Sequence, residues 1–182
     1  ADSLGIDVDN NSTITSLSVG YITPVSIAAG KTLSGAITVT AGSLKLNETG
    51  TLASSIAMSG GTLDADNSLT VSGALSHSAD IEIDVANNKT LTYSGTAISV
   101  GANTLTLSGA VYRNSFFVSG GLTLNNASSK LVLNSITVDS VSTTSDSLGL
   151  DVNDYSRVTS LSVGHLTPVS IEAGGTLAGA IT

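Results

Sequence analysis

One segment of this chain occurs twice. Residues 2–38 and 146–182 align over 37 positions without a gap, 26 of them identical, at an offset of 144 residues. Some of the differences exchange one aliphatic residue for another, as at Ile6 and Leu150. Self-similarity at a fixed spacing is typical of proteins built by stacking equivalent units. We therefore predict a single continuous solenoid over 1–182, with a repeat unit at 2–145 and the start of the next unit at 146–182.

A shorter period of about 20 residues runs inside the repeat unit, marked by turn residues. Between the turns, apolar residues alternate with Thr, Ser, Asp or Glu, as in 69–71, 81–85 and 131–133. Such alternation places one face of a strand inside and the other in water. No segment has the apolar spacing of a helix, and Glu occurs only at positions 48, 82 and 172. The pattern predicts an all-β fold.

The low aromatic content favours a solenoid over a sandwich among all-β folds. Aromatic residues make up 3 % of the chain, whereas the two inner faces of a sandwich are usually filled with bulky side chains. A solenoid needs less bulk, because aliphatic residues stack on similar residues one coil away and each strand pairs with its neighbours. We predict a parallel β-solenoid with about 20 residues per coil. The handedness of parallel crossovers favours a right-handed β-helix.

The charge pattern excludes several partners. The formal net charge is −8, and the six basic residues are scattered along the chain, so no patch could neutralise several phosphates of a nucleic acid. No apolar run approaches the roughly 18 residues of a membrane span, so we expect no membrane insertion. Cysteine is absent, which suits a protein exported in an unfolded state.

Several short strings resemble those of a known group of proteins. NSLTVSG at 67–73, NKTLTYSG at 88–95, NTLTLSG at 103–109 and SGGLTL at 119–124 look like the strand repeats of large bacterial β-solenoid surface proteins with tandem repeats. Those proteins are autotransporter passengers and filamentous adhesins. The resemblance implies a β-helix at the cell surface or outside the cell, in a stalk or fibre that contacts other surfaces, polysaccharide or its own copies.

An acidic cluster recurs in both copies of the repeated segment and is a candidate calcium site. Asp7 and Asp9 in the first copy correspond to a region of the second that contains Asp151 and Asp154. Calcium prefers six to eight oxygen ligands, which closely spaced Asp and Asn residues can supply. However, one acid moves by a position between the copies, and Asp and Asn also favour turns. We expect no cofactor and keep calcium as the alternative.

A candidate contact patch lies where aromatic residues cluster. Tyr112, Arg113, Phe116 and Phe117 fall close together in the sequence. In an extended strand, Phe116 and Phe117 must point to opposite faces, so one of them lies outside the coil unless a loop covers it. An exposed aromatic residue beside Tyr and Arg is typical of a binding surface. The alternative is an aromatic stack with loop cover.

A second group of acidic residues raises the possibility of catalysis. Asp64, Asp66, Asp80, Glu82 and Asp84 lie on successive predicted coils. A polysaccharide-cleaving enzyme needs two carboxylates that face one cleft. Long loops that could form such a cleft are missing, so a solvated acidic face is favoured. His77 and His165 have no partners at metal or triad spacing, and we interpret both as surface or loop residues.

Threonine pairs of the form Thr-x-Thr occur at 13/15, 38/40, 90/92 and 104/106. Ranks of outward Thr on a flat face could order water as an ice-binding surface does. Such a face needs the pair in nearly every coil, and Thr is also a common strand residue. We favour the ordinary strand role.

These observations predict a non-catalytic structural segment of an extracellular tandem-repeat fibre, stalk or adhesin. Its expected partner is itself, end to end, because the last coils of one molecule would resemble the support on which the first coils of another normally stack. The first alternative is a module that binds a glycan or another cell surface. The second alternative is a polysaccharide-active β-helix enzyme.

Overall fold

The computed structural model describes residues 4–109, 115–118 and 120–182. These residues form strands and turns and no helix, so none of them belongs to a helix that could span a membrane. The strands are β1 (Ile6–Val8), β2 (Ser12–Thr13), β3 (Leu17–Val19), β4 (Thr23–Ile27), β5 (Thr32–Ser34), β6 (Ala36–Val39), β7 (Ser43–Leu46), β8 (Thr51–Leu52), β9 (Ser55–Met58), β10 (Thr62–Ala65), β11 (Leu69–Val71), β12 (Leu75–His77), β13 (Ile81–Val85), β14 (Thr90–Tyr93), β15 (Ile98–Ser99), β16 (Thr104–Gly109), β17 (Ser115–Val118), β18 (Leu122–Leu124), β19 (Lys130–Asn134), β20 (Thr137–Thr143), β21 (Gly149–Asn153), β22 (Arg157–Val163), β23 (Val169–Ile171) and β24 (Thr176–Leu177).

The strands form three parallel sheets, and each coil of the chain contributes to them in turn. The first sheet has nine strands in the order β1-β4-β7-β10-β13-β16-β19-β21-β23. The second has eleven, among them β2, β5, β8, β11, β14 and β17, and it extends around a corner through the long strands β20 and β22. The third contains β3, β6, β9 and β12. This confirms the prediction of an all-β parallel solenoid.

The length of a coil follows from the pairing of the first sheet, since each residue pairs with the equivalent residue of the next coil. Ile6 pairs with Val25, and Val25 pairs in turn with Leu46. The widest spacings between partners in this sheet run from Ile83 to Leu107 and from Leu107 to Leu133. The pairing confirms the predicted period, and the coils between Ile83 and Leu133 are longer than the others.

The core is a thin column of aliphatic side chains from all three sheets. On the first sheet, Ile83 lies fully buried between Leu63 of the preceding coil and Leu107 of the next. Its neighbours Glu82 and Asp84 point outward and are half-buried. The same alternation recurs on most strands, since every second residue of a strand faces the core. Stacking of aliphatic on aliphatic residues therefore fills the interior.

The Tyr93 side chain lies where the third sheet ends at β12. Within the described part of the chain, β12 has no ladder partner on the following coil, which would leave the backbone N–H of Leu75 without a strand to pair with. The buried Tyr93 accepts a hydrogen bond from that N–H through its hydroxyl oxygen, at 3.0 Å. A Cβ atom at Gly95 would clash with the same hydroxyl, so only glycine leaves room for the ring. The aromatic side chain thus satisfies a backbone donor that the sheet does not.

The two copies of the repeated segment occupy equivalent positions in the stack. Ile6 of β1 pairs with Val25 of β4, and the corresponding Leu150 of β21 pairs with Val169 of β23. In the first sheet, β21 lies seven strands beyond β1. On the first sheet, the offset between the copies therefore equals seven coils. The register of the second sheet differs between the copies, since Ser12 pairs with Leu33, whereas Val158, the equivalent of Ile14, pairs with Leu177.

The alternation on β13 can be tested by two substitutions at adjacent positions. Ile83→Asp should lower the free energy of unfolding by several kcal/mol, because it places an unpaired charge in a dry core. Glu82→Ser should change it by no more than about 0.5 kcal/mol, as for other outward positions. Chemical denaturation of the two variants measures the difference. Equal effects would contradict the assignment of inward and outward faces.

Candidate functional site

The structure does not bring the calcium candidates together. Asp7 and Asp9 are both exposed in the first coil. Asp151 lies outward on β21, where its Oδ2 is 2.8 Å from Lys130 Nζ, and Asp154 belongs to the following turn, with a positive φ of 45°. In the described parts of the chain, no group of three or more His, Cys, Asp or Glu side chains is placed to hold a metal ion. Asp151 thus pairs with Lys130, and Asp154 lies in a turn.

The predicted aromatic patch has only one side chain in the described structure. Phe116 is buried, at 1 % exposure, between Leu91 and Val138, its partners on the neighbouring coils. It belongs to the core, so its assignment to a surface patch is corrected. Tyr112, Arg113 and the side chain of Phe117 lie outside the described residues. The period-2 rule for this strand places Phe116 on the same face as the apolar residues stacked above and below it.

The second acidic group forms an outward cluster on the first sheet. Lys45 Nζ lies 3.2 Å from Asp64 Oδ2 and 2.9 Å from Asp66 Oδ2. Asp84 is the register partner of Asp64 on the next coil. Glu82 accepts a hydrogen bond from the Ser108 hydroxyl at 2.6 Å. Two of these carboxylates therefore share a single neighbouring cation.

Two residues of this cluster, Asp84 and Lys45, have shifted pKa values. Burial raises the pKa of the Asp84 carboxyl above its ordinary value, and the nearby carboxylates of Asp64 and Glu82 raise it further. The hydrogen bond to Asp66 raises the pKa of the Lys45 ammonium, with Asp64 acting in the same direction, because both carboxylates favour the charged form. The pKa of the Asp84 carboxyl is therefore raised first by its own burial and then by its anionic neighbours.

Asp80 has a structural role instead. Its Oδ1 accepts a hydrogen bond from the backbone N–H of Thr104 at 2.7 Å, which ties one coil to the next.

A cleft of about 260 Å³ lies on a different face, along the third sheet. Its lining residues are Thr38, Ala57, Met58, Ser59, Ser76, His77 and Ser78. Among these described residues there is no carboxylate, so the cleft and the acidic cluster do not form one site. The hydroxyl groups and one imidazole that line it offer hydrogen bonds but no acid–base pair.

His77 occupies an unexpected position. It aligns with the buried Met58 on the preceding coil, so it faces the core, although its side chain is only half-buried. Its Nδ1 lies 3.0 Å from the carbonyl oxygen of Ala79 and donates to it, whereas its Nε2 is buried and has no hydrogen-bond partner among the described residues. The interpretation of His77 as a surface or loop residue is thus corrected. The alternation Leu75, Ser76, His77 was the signal for an inward position.

Val169, Ile171 and Ile181 lie in the last described coil. These residues are 37 %, 49 % and 61 % exposed, because β23 is the last strand of its sheet and no described strand follows Ile181. The corresponding Val25, Ile27 and Ile37 are 1 %, 3 % and 1 % exposed. Burial of these side chains in the first copy therefore depends on the coil that follows them.

No protein-family model matches the chain, and neither does any curated protein or solved structure. The function must therefore be inferred from the stack and its surfaces.

The raised pKa of Asp84 predicts a pH-dependent effect of Asp84→Asn. The folded protein binds this proton more tightly than the unfolded chain, so ionised Asp84 lowers stability above its raised pKa, and the penalty disappears as pH falls to the ordinary aspartate range. We expect Asp84→Asn to stabilise the protein at neutral pH, within about 0.5 kcal/mol as for other surface substitutions. The gain should vanish near pH 4. Thermal unfolding across this pH range measures it.

The control for this experiment is Asp139→Asn, since Asp139 is exposed and lies on another sheet. If Asp84→Asn stabilises the protein equally at neutral and acidic pH, burial and repulsion between carboxylates are not the cause of the stabilisation.

Replacing His77 by Leu tests the cost of its unpartnered nitrogen. His77→Leu should raise the free energy of unfolding by about 1 kcal/mol, because it removes a buried polar atom without a partner and continues the apolar column from Met58. Ser76→Ala, at the adjacent outward position, is the matched control and should be nearly neutral. Urea denaturation compares the two. A destabilised His77→Leu variant would mean that the Ala79 contact outweighs the unpaired nitrogen.

Proposed function

We propose that this chain is a structural segment of an extracellular tandem-repeat fibre, stalk or adhesin, and that it acts without catalysis. A first sheet that runs unbroken through nine strands supports this role, since it links every coil to the next by parallel backbone pairing. In such a protein the repeat is a spacer. Its function is to hold its two ends at a fixed distance.

The observation that carries the proposal is the return of the same pairing after seven coils. Ile6 with Val25 and Leu150 with Val169 are equivalent pairs in one sheet. With strands spaced about 4.8 Å apart, seven coils correspond to roughly 34 Å. Each additional repeat would lengthen the rod by that amount and restart the same register.

The proposed location outside the cell is supported by composition and by the resemblance of the strand repeats to bacterial surface proteins. The chain has no Cys and therefore cannot form mispaired disulfides during export. Its negative charge and scattered basic residues suit a solvated surface rather than one that binds nucleic acid.

The arrangement of the carboxylates favours a structural role over the polysaccharide-active enzyme. Asp64, Glu82 and Asp84 point outward from a sheet, and the cleft along the third sheet is lined by other residues. Acid–base cleavage of a glycan needs its two carboxylates on opposite sides of a bound sugar. An outward cluster on one sheet face does not supply that geometry.

A second candidate function, binding of a glycan or another cell surface, is favoured by a column of threonines on the second sheet. Thr32, Thr51, Thr70 and Thr92 are register partners on four successive coils, and all are half-buried on the outer face. Uncharged hydroxyls at a regular spacing can hydrogen-bond a neutral, extended ligand. Sedimentation with insoluble polysaccharides, comparing the native chain with Thr51→Lys and Thr70→Lys, tests this candidate.

The structural proposal is tested by adding one repeat. A chain of residues 1–182 followed by a second copy of 39–182 should form one rod whose longest dimension is greater by roughly 34 Å, with an unchanged cross-section. Small-angle X-ray scattering measures both quantities. Val169→Asp in the extended chain, where Val169 is now internal, should break the rod at the junction and serves as control. Two compact bodies joined flexibly in the unsubstituted chain would refute the proposal.

A further inference from the structure

Two clusters of exposed aliphatic and ring side chains lie at the edge where strands of the first sheet begin. The first cluster precedes β1 and β4, and the second precedes β21 and β23. The two clusters occupy equivalent positions in the two copies of the repeated segment. We call them the first edge patch, formed by Leu4, Tyr21 and Ile22, and the second edge patch, formed by Leu148, His165 and Leu166.

Stacking on both sides leaves members of each patch exposed. Tyr21 and Ile22 are 65 % and 44 % exposed, although Gly42 of the following coil lies directly against the Tyr21 backbone. Leu148 is 61 % exposed, although its backbone N–H donates to the carbonyl oxygen of Ser129 on the preceding coil at 2.9 Å. The coil that follows Leu148 is also in place, since the N–H of the adjacent Ser147 donates to a carbonyl oxygen on it at 3.0 Å. These side chains therefore belong to the flank of the stack.

Proline and glycine hold the backbone beside each patch. The chain has two prolines, Pro24 and Pro168, and each follows a patch by two residues. Opposite them lie Gly5 and Gly149, with φ values of 96° and 133°. A Cβ atom at either glycine would clash with the carbonyl oxygen of the facing proline. Because proline also fixes its own φ, both patches are carried on a restricted backbone.

The aliphatic character of the patches is kept in both copies although the core does not require it. Ile22 is replaced by Leu166, and Leu4 is again leucine in the second copy, whereas the exposed Thr13 becomes Arg157. On intervening coils the same edge has small or polar residues, among them Ala41, Gly42, Gly60, Ala79, Asp80, Ala102 and Asn103. Exposed apolar residues that cluster at one place are typical of a contact surface.

The size and spacing of the patches indicate the partner. Three side chains are fewer than a stable interface needs, because such interfaces bury about 1,200–2,000 Å² in total. The two patches of one chain lie seven coils, or roughly 34 Å, apart along the stack. A partner that binds both must present two matching surfaces at the same spacing. A second copy of this chain presents them.

We propose that two copies of this chain associate side by side through their edge patches. A two-fold axis midway between the patches places the first patch of each molecule on the second patch of the other, so the contact closes at two molecules. Each contact is weak alone, but linking two of them raises the overall affinity by roughly 10²–10⁴. This inference rests on the rigid rod proposed above, because only a rod keeps the two patches at a fixed spacing.

Analytical ultracentrifugation of the full chain, from roughly 1 μM to 1 mM, tests the association in the range where linked weak contacts operate. We expect a reversible equilibrium between the monomer of 18.0 kDa and a species of twice that mass. Added salt should strengthen the association, because it screens the repulsion between two chains of net charge −8. Small-angle X-ray scattering of the dimer should show a wider cross-section and a longest dimension close to that of the monomer.

Single substitutions identify the surface. Tyr21→Ser and Leu148→Ser each change one patch at a side chain that is more than half exposed, so the midpoint of urea unfolding should not move. Either variant should raise the dissociation constant at least roughly 100-fold, because one of two linked contacts is lost. Tyr21→His introduces the ring of the second copy and should dimerise like the native chain.

The matched control is Tyr155→Asn. It removes a tyrosine of similar exposure, 59 %, from the turn after β21, and it introduces the residue found at the equivalent position 11. This variant should also dimerise like the native chain. If it weakens the dimer as much as Tyr21→Ser does, the edge patches are not the contact surface.

Two other results would overturn the inference. One is a dimer of about doubled length, which would show contact through the ends of the rod. The other is a chain that stays monomeric over the whole concentration range; if Tyr21→Ser then abolishes sedimentation of the monomer with insoluble polysaccharide, the patches bind a glycan instead. If side-by-side association fails while the two-repeat chain still lengthens as a rod, the proposed structural function stands.

Discussion

Parallel pairing of each coil with the next is the interaction on which the rest of this molecule depends. A single coil is too small to bury its apolar side chains alone, and its short strands are not stable singly. Stacking satisfies the backbone donors and acceptors along three sheets and covers the inward aliphatic residues at the same time. Val25 and Val169 show the dependence directly, since the same side chain is buried with a following coil and exposed without one.

The same constraint explains where chemistry can be placed. Inward positions are almost all apolar, so polar and charged residues are confined mainly to outward positions and turns. Neighbouring coils then bring outward residues into register, which produces the Lys45 and Asp64 ion pair and the Thr51 and Thr70 pairing on different faces. The register can also place two residues of the same charge opposite each other. Asp84 opposite Asp64 is the unfavourable case, and it adds to the rise in the pKa of Asp84 that burial causes.

Sequence reasoning succeeded where one local rule determined the outcome. The alternation around Ile83 predicted its burial, and the repeat offset predicted equivalent positions for β1 and β21. It failed where contacts between coils decided the outcome. Nothing in the local sequence indicated that Tyr93 would replace a missing strand partner for Leu75. Similarly, the pairing of Asp151 with Lys130 depends on the exact register between coils of different length. His77 was misassigned because its residue type was weighed above the alternation of its strand.

Comparison of the two copies separates the interactions that the stack requires from those it tolerates. Polar substitutions between the copies fall in turns, at corners and at outward positions, including Asn11 against Tyr155, Lys31 against Gly175 and Tyr21 against His165. At inward positions the side chains are either identical or one aliphatic exchanged for another. The turn of the second copy has positive φ at Tyr155, and the second-sheet register after it differs by two residues from that of the first copy. An inward residue has less freedom, because it must match the coil before it and the coil after it. A repeat built in this way can vary its outer surface from copy to copy while the inward residues of the first sheet keep their register, which is consistent with the tandem fibre we propose.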